Sequence, residues 1–171
     1  MPTLQAVPRI FTDAELDALR SEGKVLPPNW RARLVGKARQ GSGSVGGSFE
    51  LRGEQENVFR LYARRNIENL FDFSVGLAFI APDGTSYMLA RYNGSSHAHT
   101  NVLEQQFFED RFHIHRGTER YLQKFGVDGM DRFAEPTERF YSYDSAMDLA
   151  IADLGFASTD NDDIPNLFGE E

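Results

Sequence analysis

The sequence predicts an α+β fold. It is a mostly antiparallel, twisted sheet of about five or six strands, with helices near both termini packed on one face. Three observations predict it. Between residues 48 and 115, apolar and polar residues alternate in short runs, the period of a strand with one buried face. Short turns join these runs, and antiparallel meander pairing is the simplest topology for strands joined so tightly. Helix start and stop signals bracket segments near residues 12–22 and 144–154. At 171 residues the chain suits one domain with a sizeable core, over residues 1–159, followed by an acidic, disordered tail over 160–171.

In chain order, Thr12 caps the first helix, Glu15 completes a capping box, Phe11 staples onto Leu16, and Gly23 suits its C-terminal cap. Pro27-Pro28 forces an extended connection. Residues 30–39 alternate as a strand would, and the glycine- and serine-rich stretch 40–47 reads as a flexible loop. Strands follow over 48–52, 58–65, 72–80 and 85–92, with Pro82-Asp83-Gly84 as the turn between the last two. A further strand spans Phe107 to His115. It places Phe108, Phe112 and Ile114 on a core face and Glu109, Arg111, His113 and His115 on the opposite face. Thr118–Phe125 forms a short helix ending at Gly126, and residues 127–137 form a loop. A final helix, capped by Asp144 or Ser145, runs to about Leu154 with Gly155 after it.

Composition excludes several classes. No run of about 18 apolar residues suggests a membrane-spanning helix. The N-terminus lacks a secretory signal, and without cysteine there are no disulfides or thiolate metal sites. These features point to a cytoplasmic protein. Of the net charge of -8, the tail supplies five negative charges, whereas residues 24–65 carry an excess of six bases. That balance disfavours a general nucleic-acid binder and leaves a local polyanion patch open, although outward residues on solvated strands account for it more simply.

The four histidines fall into two His-x-His pairs, His97/His99 and His113/His115. On a strand this spacing puts two imidazoles on one face about 7 Å apart. Three chemistries use such a set. Imidazoles flanking a phosphodiester can take a ribose 2′-hydroxyl proton and protonate the leaving oxygen, while arginine stabilises the phosphorane. His113, His115, Arg116, Glu119, Arg120 and Tyr121 supply that kit within nine positions, and His97 and His99 can bring a second base. Alternatively, two pairs can hold zinc, nickel or iron. The third use is a hydrogen-bond network bracing loops. No His-x-Ser/Thr pair of a two-histidine phosphoesterase, P-loop, Rossmann glycine fingerprint or serine nucleophile elbow is present.

The order Arg91-Tyr92-Asn93-Gly94, His97-Ala98-His99-Thr100-Asn101, His113 to Tyr121, Pro136-Thr137 and a late helix resembles an uncharacterised prokaryotic family over residues 10–156. More distantly, residues 87–121 and the last helix resemble the TumE-like toxins of toxin–antitoxin modules, matching at Tyr92, Asn93, His97 and His99. The resemblance implies a toxin directed at RNA and neutralised by a partner antitoxin. This chain departs from those toxins in its longer N-terminal part, its second His-x-His pair and its net acidity.

The sequence thus points to an endoribonuclease-like toxin without a cofactor. His113 and His115 transfer protons, supported by His97 and His99; Arg116 and Arg120 bind phosphate, and Glu119 orients an imidazole. Two alternatives stand beside it. One is a non-catalytic interaction protein, such as a phage- or mobile-element-encoded inhibitor presenting acidic surface to a nucleic-acid enzyme. The other is a histidine-ligated metal protein.

Overall fold

A computed structural model describes residues 7–36 and 43–158. The helices are α1 (Asp13–Ser21), α2 (Trp30–Leu34), α3 (Glu119–Phe125) and α4 (Tyr143–Asp153). The main sheet comprises β2 (Ser44–Arg52), β3 (Val58–Asn66), β4 (Phe73–Ile80), β5 (Ser86–Asn93), β8 (His113–Arg116) and β9 (Phe133–Pro136). These are antiparallel neighbours in the order β2-β3-β4-β5-β8-β9. Two small ribbons complete the fold. A parallel pair joins β1 (Lys24–Leu26) to β10 (Phe156–Ser158), and an antiparallel hairpin joins β6 (His99–Asn101) to β7 (Gln106–Phe108). This is the α+β class that the alternation predicts. Among the described residues no helix is long and apolar enough to cross a membrane.

One face of the sheet carries the apolar core. Phe59, Leu61 and Ala63 from β3, Phe73, Val75, Leu77 and Phe79 from β4, and Ile114 from β8 are buried in one cluster with α1, α2 and α4. A bulge between Leu77 and Ala78 changes the register of β5 midway. Tyr87 opposes Phe79, yet Ala90 and Tyr92 oppose Leu77 and Val75. The bulge thereby keeps the apolar residues of β5 on the core and turns Arg91 and Asn93 to the other face.

The ends of α1 and α4 meet at one ammonium. The capping box at Thr12 forms as expected, with Glu15 N–H donating to Thr12 Oγ1 at 3.2 Å and Thr12 N–H donating to the Glu15 carboxylate at 2.9 Å. The other end differs from expectation, because Gly23 has no positive φ. Instead Lys24, only 2% exposed, donates through Nζ toward the carbonyls of Leu19, Arg20, Glu22 and Leu154 at 2.7–3.2 Å. The ammonium satisfies the final carbonyls of both helices, the role expected of a left-handed glycine. It also lies 4.3 Å from the centre of the Phe59 ring. Burial lowers its pKa to about 8, so it stays largely charged at neutral pH.

Several segments correct the sequence reading. Residues 30–34 are helical because Trp30 and Leu34, one turn apart, both reach the core while Arg31 and Arg33 face solvent. Ser44 to Gly47 extend β2, although this stretch reads as part of a loop. Its glycines serve close approach: a Cβ on Gly47 would lie 2.5 Å from the Arg33 carbonyl oxygen where α2 crosses the strand. The strand expected from Phe107 to His115 divides into β7 and β8, because Phe112 turns to pack against Phe73 and Phe140. The division moves Phe108 away from the core face and against His99 and His113. Residues 133–136 form the edge strand β9 within a stretch that reads as loop. Ser142, one turn before Ser145, caps α4. The remainder of the expected loop, residues 40–42, and the acidic tail over 160–171 lie outside the described residues.

Replacing Lys24 with Met keeps the stem and removes the charge. We expect Lys24→Met to lower unfolding free energy by about 3 kcal/mol, because several helix-end carbonyls are left buried without a donor. Urea unfolding of the two proteins checks this.

Candidate functional site

The second face of the sheet is polar. Register places Arg91 opposite His115, Asn93 opposite His113, Ser74 opposite Asn93, and Arg64 opposite Ser74, so these side chains share the face away from the core. The β6–β7 hairpin adds His97 and His99. It docks because the Asn101 side chain behaves as an extra strand residue. Its amide nitrogen donates to Ala134 O and its oxygen accepts from Ala134 N–H, both at 2.8 Å. The hairpin therefore covers part of edge strand β9.

The two His-x-His pairs meet. Ring centres lie 5.1 Å apart for His97 and His113, 5.7 Å for His99 and His113, 4.8 Å for His99 and His115, and 4.9 Å for His113 and His115. Backbone carbonyls set the tautomers of three of them. His113 Nδ1–H donates to Arg111 O at 2.7 Å, and His115 Nδ1–H to Asp131 O at 2.8 Å. His99 Nε2–H points to Arg132 O at 2.9 Å and Asn101 Oδ1 at 3.0 Å. Each ring thus keeps its other nitrogen as an acceptor. For His113 and His115 that nitrogen, Nε2, is buried and has no partner.

Burial separates the four. His113 is 0% and His115 3% exposed, His99 is half-buried, and His97 is exposed. Desolvation pushes His113 down to about 4 and His115 to about 2, and the Arg91 guanidinium adds to both effects. At neutral pH both are uncharged acceptors. Burial thus favours the neutral form of both rings and works against the general-acid role expected of His113 and His115.

A cleft of about 530 Å³ opens beside the cluster, lined by His97, His99 and His115 together with Tyr62, Arg64 and Arg91. Asp72, Phe73, Ser74, Asn93 and Arg132 complete its lining. Tyr62 OH and Ser74 Oγ lie 3.4 Å apart, and Ser74 Oγ–H donates to Asn93 Oδ1 at 2.9 Å. The Tyr62 ring lies across Gly76, where any Cβ would approach it within 2.5 Å. Arg91 pairs with Asp131 at 3.0 Å, and Arg64 pairs with Asp72, whose carboxyl it holds below the usual range. A network of hydrogen bonds therefore fixes the walls: the Arg64 and Arg91 guanidiniums are paired with Asp72 and Asp131, and that of Arg132 lies 5.3 Å from the centre of the Phe125 ring.

The other residues expected at the site stand elsewhere. Arg116 shares the parity of Ile114 and lines a separate cavity with Arg20, Arg139 and Asp153 on the core side of the sheet. Glu119 bonds Asp13 N–H and Gln123, tying α3 to α1, and touches no imidazole. Arg120 pairs with Glu104 at 2.5 Å, and the buried Tyr121 hydroxyl donates to the same carboxylate at 2.7 Å. Together these two clamp the turn of the β6–β7 hairpin. Arg139 makes a bidentate pair with Asp153, which also accepts from Tyr92 OH.

Sequence reasoning missed Tyr62, Arg64, Ser74, Arg91 and Arg132 as site residues. The polar row of β3 carried a signal for Tyr62 and Arg64. Arg91 carried none, because a bulge decides its face. Among the described residues no group of three or more His, Asp or Glu side chains is arranged to hold a metal ion. Comparison with family models, curated proteins and solved structures finds no match.

The buried imidazoles make the fold sensitive to acid. Unfolded histidine titrates near 6.5, above the folded values of His113 and His115, so the unfolded chain binds more protons below that pH. Their contribution to stability is complete above pH 6.5 and is lost as pH falls toward 4, by about 1.4 kcal/mol per pH unit per histidine. Urea titrations at pH 7, 6 and 5 should show this slope. His115→Phe should reduce it by one histidine's share.

Proposed function

We propose that the protein acts on RNA at this cleft by metal-independent acid–base cleavage, as a toxin-like endoribonuclease. The observation that carries the reading is the convergence of His97, His99 and His115 with Arg64, Arg91 and Arg132 on one cleft, His113 packing against all three rings from behind. Cleavage of a phosphodiester by its own 2′-hydroxyl needs a base, an acid and positive charge near phosphorus. His97 and His99 are the accessible rings and take the two proton transfers. One removes the 2′-hydroxyl proton as that oxygen attacks phosphorus, and the other protonates the departing 5′-oxygen, leaving a 2′,3′-cyclic phosphate. Arg64, Arg91 and Arg132 hold the phosphate. His115 forms the neutral floor of the cleft, and His113 packs against it. The toxin resemblance adds a partner antitoxin, whose simplest action is to cover the cleft.

The test is incubation of purified protein with short RNAs in chelator, with products resolved by gel and mass. We expect fragments ending in 2′,3′-cyclic phosphate. His97→Ala should slow cleavage about 100-fold or more without lowering Tm, and His99→Ala should slow it similarly while also lowering Tm, since it removes the hydrogen bonds to Arg132 O and Asn101. Arg116→Ala, on the other face of the sheet, should cleave at the normal rate. Intact RNA after prolonged incubation with wild-type protein sinks the reading.

A further inference from the structure

We infer that His115 and Arg91 form a recognition pair for a hydroxyl group, and that in the RNA reading above, on which this rests, they read a ribose 2′-hydroxyl. The two residues are cross-strand partners on β8 and β5, side by side on the polar face, and both line the cleft. Each presents one buried polar atom without a partner: Nε2 of His115 and Nε of Arg91.

Those two atoms have opposite characters. The Asp131 carbonyl accepts a hydrogen bond from His115 Nδ1–H, so Nε2 of the neutral ring has only a lone pair. The carboxylate of the same Asp131 engages Arg91 through Nη2, so Nε–H remains a donor. One residue therefore fixes the tautomer of the acceptor and the orientation of the donor. A buried polar group left unmatched costs stability, and such a group facing a cleft is where a ligand's polar atom gains most. The complementary group must donate to His115 and accept from Arg91. A hydroxyl does both through one oxygen. A phosphate oxygen at neutral pH satisfies only the arginine, and an ether or a fluorine satisfies at most the donor.

The 2′-hydroxyl is the group by which a protein distinguishes RNA from DNA. The His115 ring is too weakly basic to take the proton, so it holds the hydroxyl without activating it. The hydroxyl it holds belongs to a ribose next to the scissile linkage; the attacking hydroxyl lies with His97 and His99. His115 and Arg91 thereby determine specificity apart from the residues that move protons.

The probes are ribonucleoside 5′-monophosphates and their 2′-deoxy counterparts, which cannot be cleaved by this chemistry. Calorimetric titration of the full chain should show the ribonucleotides binding about tenfold tighter, the discrimination of one good hydrogen-bond pair. In His115→Phe, which keeps an aromatic ring and loses the acceptor, the ratio should fall to about one. The nitrogen-15 resonance of His115 Nε2 in wild-type protein should move on adding ribonucleotide and stay still with the deoxy form, a readout that needs no variant. Equal binding of the two forms overturns the inference and leaves the cleavage reading standing, since that reading is judged by its own gel. A preference that survives His115→Phe overturns the role of His115. Binding of neither form, or a resonance that moves equally with both, overturns the inference as well.

Discussion

The polar half of this structure depends on burying two neutral imidazoles on the strand next to the sheet edge. His113 and His115 leave water completely or nearly so, and each anchors one nitrogen on a backbone carbonyl while the other stays bare. Burial at that price in polar surface forces both rings to remain uncharged. The surroundings follow from it. Phe108 and His99 close over the rings, the 131–132 backbone turns to supply carbonyls, and Asn101 fastens the covering hairpin to the sheet edge.

The same strand separates two environments. Ile114 enters the apolar core between two histidines on the polar face, so β8 is apolar on one side and imidazole-lined on the other. Charged groups follow this division. Arg91 lies on the cleft side, and Arg116, one register step beyond His115, lies on the core side with Arg20 and Arg139. Glu119, Arg120 and Tyr121 hold elements together instead: α3 to α1, and α3 to the hairpin turn. Residues that look like one catalytic kit in sequence therefore split into a cleft set, a core-side set and a clamp. The reason is that β8 ends at Arg116 and the chain changes direction before Glu119.

Much of the fold was legible. Alternation in β3, β4 and β5, the capping box at Thr12 and the glycine after α4 are local signals, and local physics enforces them. Failures occurred where tertiary partners overrode local preference. Gly46 and Gly47 look like linker until β3 supplies a ladder of hydrogen bonds. Residues 30–34 alternate in type, yet two buried anchors one turn apart make them helical. The residues 107–115 keep a strand period, but Phe112 gains more by entering the core than by continuing the ladder. For the site, the histidines were visible as a cluster of types and Tyr62 only as one of a polar row, whereas nothing local marks Ser74 and Arg91.

By itself the sequence determined the α+β class, the order of the central strands, and the presence of two imidazole pairs able to share a face. Periodicity and turn chemistry act over a few residues and leave a readable trace. Only the tertiary structure decided that the two pairs meet, that His113 and His115 are buried and neutral while His97 is exposed, and that Arg91 joins them. Each of those outcomes depends on groups far apart in the chain: a bulge in β4–β5, a carbonyl at Asp131, and a hairpin held by Asn101. Charge state follows burial, burial follows packing, and packing is not written in any single stretch of residues.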